Sequence, residues 1–179
     1  MPQDGFYKTL LIKKIHEEIK GFKTFVFEEG HGINYKSGQY ITLAQLVNNE
    51  ELRRSYSICS SPDLGEPMTI GVKRVENGLF SRQLIDYAKP GDEWTTTGAG
   101  GLFVLPAEVE NYQQVFFLAA GSGITPIYSL IKTVLNFHRS LSVVLIYSNA
   151  SAEKTVFLNE LKNLKNEFAG RFHAGCILA

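Results

Sequence analysis

RRSYSICSSP, residues 53–62, places Arg54, Tyr56 and Ser57 on what reads as a β-strand ending at a Ser-Pro turn. Residues two apart on a strand share a face, so the Arg54 cation and the Tyr56 phenol point to the same side. Such a trio can neutralise a phosphate, stack on a flat ring and hydrogen-bond a ring heteroatom. An exposed Arg beside a Tyr packed on its own sheet is the plain structural alternative.

Outward from this strand, the first hundred residues read as short strands between turns: FYKTLLIKKI, FKTFVFEE, QYITLAQLV, PMTIGVKRV and DEWTTTG. Their β-branched and aromatic content, with glycines in the intervening turns, predicts a small antiparallel β-barrel or sandwich. One interruption is helical. SRQLIDYAKPG sets Leu84, Tyr87 and Ala88 on one face, opens with Ser81 as a cap and stops at Pro90-Gly91. After residue 105 the rhythm changes. VFFLAA, SVVLIYS and RFHAGCIL read as buried strands, with TPIYSLIKTVLNFH and SAEKTVFLNELKNLKNEF as helices between them. The second helix carries Val156, Leu158, Leu161, Leu164 and Phe168 near helical spacing. This is a β-α-β-α-β unit with a parallel sheet, half of a doubly wound, Rossmann-like domain. The expected division is into residues 1–105 and 106–179.

The 179 residues hold 18 basic and 18 acidic side chains, so no global field draws the chain to nucleic acid or an anionic membrane. Any anion site must be local. No apolar run reaches the roughly 18 residues of a membrane span, and MPQDGFYKTL lacks the basic and apolar regions of a signal peptide. Cys59 and Cys176 have neither metal-ligand nor disulfide-framework spacing. These features predict a soluble, cytoplasmic protein without a metal site.

Two glycine-bearing junctions stand out. In AAGSGITP, residues 119–126, Gly121 and Gly123 allow close backbone approach, the helix N-terminus favours a phosphate, and Pro126 suits the first turn. The junction lies at the carboxyl end of the first parallel strand, where open α/β sheets bind ligands, which favours a nucleotide over a mere tight turn. RVENGLFSRQL places Gly78 and Ser81 at a second junction, readable as a pyrophosphate seat or as an ordinary N-cap.

Arg54-Ser55-Tyr56-Ser57, then VKRVENGLFS, then GSGITP resemble, in this order and over essentially the whole chain, the ferredoxin–NADP(+) reductase superfamily, particularly the reductase components of bacterial oxygenases and hydroxylases. The resemblance implies a flavin-binding barrel followed by a pyridine-nucleotide domain. It implies that Tyr56 stacks on the isoalloxazine and that Ser57 reaches its N5 edge, the two residues nearest the hydride. Arg54 and Ser81 would contact the flavin phosphates, with Ile58, Val72, Lys73, Val75, Gly78 and Phe80 alongside. Gly121, Gly123, Thr125 and Pro126 match the motif under the pyridine nucleotide, and GAGGLF, residues 98–103, is similar to the family's link between domains. FAD in preference to FMN, NAD(P)H as co-substrate, and a ferredoxin, flavodoxin or oxygenase as protein acceptor follow from the same resemblance.

Hydride transfer between two bound rings needs stacking and alignment rather than a strong acid or base, in keeping with the scatter of His16, His31, His138 and His173. Cys59 reads as a small packed side chain. Two departures accompany the resemblance. After the second parallel strand the chain reads Tyr147-Ser148-Asn149-Ala150-Ser151, where the family often has an Arg for an adenosine 2′-phosphate, which leaves NADH and NADPH both open. The family's nucleotide domain also continues with further β-α units beyond the point where this chain reads CILA. The expectation is therefore a C-terminally truncated reductase whose first parallel strand keeps an open edge for self-association. A non-catalytic flavin-binding module is the alternative.

Overall fold

The computed structural model describes residues 6–178. Six antiparallel strands form the first unit: β1 (Lys8–Ile19), β2 (Phe22–Phe27), β3 (Tyr40–Val47), β4 (Glu50–Ser57), β5 (Thr69–Lys73) and β6 (Glu93–Gly100). Their order in the sheet is β4-β3-β6-β1-β2-β5. Local chemistry makes the hairpins. β3 and β4 are joined by Asn48-Asn49, both at positive φ, the backbone of a two-residue turn whose twist matches the flanking strands. Alternate side chains such as Leu10, Ile12, Phe25, Phe27, Ile41 and Leu43 turn inward and fill the barrel.

The second unit runs β7 (Gln114–Ala120), α2 (Ile124–Phe137), β8 (Ser142–Asn149), α3 (Leu158–Glu167) and β9 (Phe172–Leu178). The helix of the barrel unit, Leu79–Arg82, is α1. The three strands are parallel, in the order β7-β8-β9. Among the described residues no helix is long and apolar enough to cross a membrane.

Several local expectations change in the structure. α1 is capped by Gly78, not Ser81, and runs into a π-turn at Gln83–Tyr87 closed by the Ala88 N–H on the Gln83 carbonyl at 3.1 Å. The wider turn takes Tyr87 off the Leu84 face: Leu84 is fully buried and Tyr87 is 74% exposed. In the last helical segment Phe157, at φ 59, interrupts the chain, so Val156 precedes α3 instead of lying on it. Gly98, Ala99 and Gly100 belong to β6 and pair with β3, so the link between units begins only at Gly101. VFFLAA is buried on one face alone. Phe117 and Ala119 lie under the helices, whereas Phe116 and Leu118 are 64% and 73% exposed, because α2 and α3 cover only one side of the sheet.

Two glycines mark where chain segments distant in sequence are pressed together. Gly38 sits at φ +92, and a Cβ there would lie 2.0 Å from the Phe103 carbonyl oxygen, in the link between units. Gly71, in the middle of β5, meets Thr125 at the start of α2: a Cβ would lie 2.7 Å from both Thr125 Cγ2 and Phe22 Cζ. Gly71→Ala should therefore overpack the contact between barrel and α2 and destabilise the protein by about 1–3 kcal/mol in denaturant unfolding. Unchanged stability would mean that Thr125 yields freely.

Candidate functional site

The barrel is not zipped all the way round. β4 pairs along its length with β3, and β5 with β2. β4 and β5 meet through the single Ile58–Ile70 bridge, next to which the Cys59 N–H donates to the Thr69 carbonyl at 2.8 Å. Extending that register would set Tyr56 opposite Val72, but no further pair forms. Two strand edges with outward N–H and C=O groups thus face a common seam, which can receive the heteroatoms of a flat ligand.

Tyr56 and Arg54 lie on β4, the strand that borders this seam, and their two-residue spacing puts them on one face of it. Tyr56 is half-buried against the barrel core, and burial pushes its phenol up to about 12, with the Arg54 charge pulling the other way. The phenol therefore stays neutral through the physiological range. Ser57 is half-buried beside it, and Ile58 is fully buried at the bridge. The structure also separates the two arginines. Arg53 is held by Glu51 and Tyr7, whereas Arg54 is exposed and, among the described residues, bonds only the Arg53 carbonyl, at 2.7 Å. Cys59, next along the chain, is buried. Burial pushes its thiol up to about 12 against the pull of Lys132, and Sγ donates to the Thr69 carbonyl at 3.4 Å. A thiol kept protonated is no nucleophile.

Across the seam β5 supplies buried Val72 and exposed Lys73, and Val75 lies beyond the strand end rather than on it. The first-turn N–H groups of α1 have no helical acceptors. Ser81 builds the loop that precedes them: its Oγ accepts the Val75 N–H at 3.0 Å and donates to the Gly78 carbonyl at 3.2 Å. Phe80 is packed into the barrel core, its ring centroid 5.9 Å from that of Trp94.

A cleft of about 550 Å³ separates the barrel from the carboxyl ends of β7 and β8. Gly121-Ser122 and Ser148–Ala150 line one side, and Lys73 and the β1–β2 turn at Lys20–Phe22 the other. Tyr147 Oη donates to the Gly121 carbonyl at 2.9 Å and Thr125 Oγ1 to the Ser122 carbonyl at 2.8 Å, so side chains below the glycine turn fix its shape. Burial raises the Tyr147 phenol to about 12, so it remains a donor. Of the four motif residues only Gly121 lines the cleft: Gly123 is exposed on the turn, Pro126 is half-buried in α2, and Thr125 is buried against Gly71.

Sequence reasoning missed two contributors. Lys20-Gly21 gave only a turn signal, yet the turn forms a wall of the cleft. Asn149 ends β8 facing the same space. It lies beside the Tyr147 phenol but outside hydrogen-bonding geometry, so its Oδ1 and Nδ2 are buried without a partner. A polar residue closing an apolar strand was the available signal. Lys20, Lys73 and Lys154 line the cleft without any carboxylate or imidazole. Such a surface suits a polyanion.

Known proteins resemble this chain in sequence and in fold. The oxidoreductase FAD-binding domain matches residues 10–105, and the oxidoreductase NAD-binding domain matches residues 117–175. One of the subunits of the 1,2-phenylacetyl-CoA epoxidase of Escherichia coli is 30% identical over 177 residues, which cover 97% of this chain and 49% of that protein. The glycine betaine monooxygenase reductase subunit of Pseudomonas aeruginosa is 32% identical over 156 residues, 84% of this chain and 41% of that one. The chain thus spans about half the length of the curated relatives it matches. Among solved structures, the CS-b5R domains of human Ncb5or superpose with a TM-score of 0.86 at 20% identity, over 99% of this chain and 53% of that one. Ferredoxin-NADP+ reductase from Plasmodium falciparum gives 0.82 at 21% identity, over 95% and 69%. With an antiparallel barrel and a parallel α/β unit matched in this order, the chain belongs to the FAD- and NAD-binding oxidoreductases of ferredoxin reductase fold.

Proposed function

We propose that this chain is the flavin- and pyridine-nucleotide-binding part of a reductase, divided at about residue 105, that passes reducing equivalents from NAD(P)H through FAD to a protein acceptor in the cytoplasm. The observation that carries the proposal is the barrel seam bearing Tyr56 and Arg54, with the lysine-lined cleft beside it at Lys73. FAD, when bound, would supply the redox chemistry between the nicotinamide and the acceptor. The chain's own residues bind and align. Tyr56 offers a stacking face, Ser57 and the open edges of β4 and β5 offer hydrogen bonds to the ring, and Arg54 with the first-turn N–H groups of α1 receives the phosphates. Gly121-Ser122, Asn149 and the three lysines hold the nucleotide. The names of the relatives support an oxygenase as the acceptor. Self-association through β7 is part of the proposal, because its outer edge has no partner among the described residues and Phe116 and Leu118 are exposed beside it.

Purified protein with FAD should be yellow and should bleach on addition of NADH or NADPH. A flavin that binds but is not reduced would favour a non-catalytic flavin module. Tyr56→Ala should weaken FAD binding by roughly 1 kcal/mol, about fivefold, with far-UV circular dichroism unchanged. Unaltered affinity in a folded variant would return Tyr56 to the barrel core.

Arg54→Ala should lower affinity for FAD more than for riboflavin, which has no phosphate to meet a guanidinium. Equal losses would remove Arg54 from the phosphate site. In sedimentation, Leu118→Lys should shift a self-associating sample toward monomer, and a wild-type protein that is monomeric at all concentrations would dismiss the β7 contact.

A further inference from the structure

Helix α2 carries Thr125, Ser129, Lys132 and Thr133 at i, i+4, i+7 and i+8, one continuous polar face. On an isolated α/β unit this would be the solvent side. Here all four residues are buried, at 2%, 0%, 8% and 6% exposure, because the face is pressed on the barrel.

Its contacts are directional. Ser129 Oγ donates to the Ser60 carbonyl at 2.6 Å. Thr133 Oγ1 lies 2.8 Å from Ser61 Oγ, 2.7 Å from Ser37 Oγ and 3.1 Å from the Ser129 carbonyl. A hydroxyl has one donor and two acceptor positions, so Thr133 donates to Ser129 and accepts from both serines, its capacity filled. Lys132 pairs with Glu66, whose carboxylate also accepts the Ser61 N–H at 2.6 Å. Thr125 abuts Gly71 of β5. The helix is therefore bolted at its start and again two turns later.

The barrel side of these contacts is the continuation of β4. Ser60 and Ser61 follow Ser57 with only Ile58 and Cys59 between, and both of these are fixed: the Ile58 N–H donates to the Gln39 carbonyl at 2.9 Å and the Cys59 N–H to the Thr69 carbonyl at 2.8 Å. No slack separates Tyr56 from the latch. The other end of α2 carries the Gly121–Gly123 turn of the cleft.

Resting on the proposed function, we infer that Ser129, Lys132 and Thr133 are positioning residues: their latch to Ser37, Ser60, Ser61 and Glu66 sets the nucleotide turn at a fixed distance from the flavin strand. Apolar packing could hold the two units together, but a filled hydroxyl network and the ion pair of buried Lys132 with half-buried Glu66 also fix the direction of approach. Hydride transfer is sensitive to that geometry, since a displacement of about 1 Å can cost on the order of 100-fold in rate.

Thr133→Val keeps the shape and removes the oxygen, Lys132→Met removes the ion pair, and Thr133→Ser restores the hydroxyl. In stopped-flow reduction of FAD-loaded protein, the first two should lower the rate at saturating NAD(P)H at least tenfold, with FAD affinity and flavin potential unchanged, and Thr133→Ser should recover most of it. A readout independent of flavin is amide exchange of the protein without added FAD. Thr133→Val should speed exchange at residues 58–61 and at residues 121–125 together. Wild-type rates at saturation, wild-type exchange, or no recovery in Thr133→Ser would overturn the inference while leaving the proposed function standing. Wild-type protein that binds FAD and is not reduced by either nucleotide would overturn both.

Discussion

The Ile58–Ile70 bridge is the point on which the rest of the architecture turns. It closes the barrel once, at its buried waist, and leaves β4 and β5 unpaired on one side. A fully laddered barrel would satisfy those backbone groups internally and have none to offer a ligand. Immediately beyond the bridge the chain leaves the strand as Cys59-Ser60-Ser61 and meets α2. A single closure therefore creates the seam that carries Tyr56 and the surface on which the α/β unit is seated. The protonated, buried thiol of Cys59 fits this place: it is packing at a junction where three elements meet.

Charge is organised on the same local scale. The chain as a whole is neutral, yet lysines from the β1–β2 turn, the end of β5 and the segment after β8 converge on one cleft without an acidic partner among its lining residues. Hydration screens such a cluster well enough to keep it on the surface, and a bound polyanion gains from all three charges together. The buried amide of Asn149 adds a directional group to this otherwise diffuse field. Binding and alignment are what such a site can do, and hydride exchange between two bound rings asks for little else.

The α/β unit is asymmetric. Both helices pack on one face of β7-β8-β9, and the opposite face shows Phe116, Leu118, Ile146 and Ile177. Docking on the barrel adds to the covered side only. Phe22 of β2 joins the core of the α/β unit and packs edge-to-face on Phe157, centroids 6.1 Å apart. The two units thus share a core at their junction while keeping separate ones elsewhere, and the cleft lined by Lys73 and Gly121 opens beside that junction.

What could be read in the sequence was what local chemistry determines. Two-residue alternation, apolar runs of helical spacing and a glycine turn after a strand each act within a few residues, so the nine strands, the long helices, the barrel-then-α/β order and the RSYS and GSGITP stretches were legible. Tertiary structure alone decided which of these features are used. Thr125 belongs to the nucleotide motif by spacing but is turned to Gly71 of β5, and Ser129, Lys132 and Thr133 look like a solvated stripe until the barrel covers them. Lys20 and Asn149 reach the cleft, and Phe116 and Leu118 stay uncovered, for the same reason. Burial and convergence depend on which surfaces segments far apart in the chain present to one another, and the period of a single helix or strand does not carry that information.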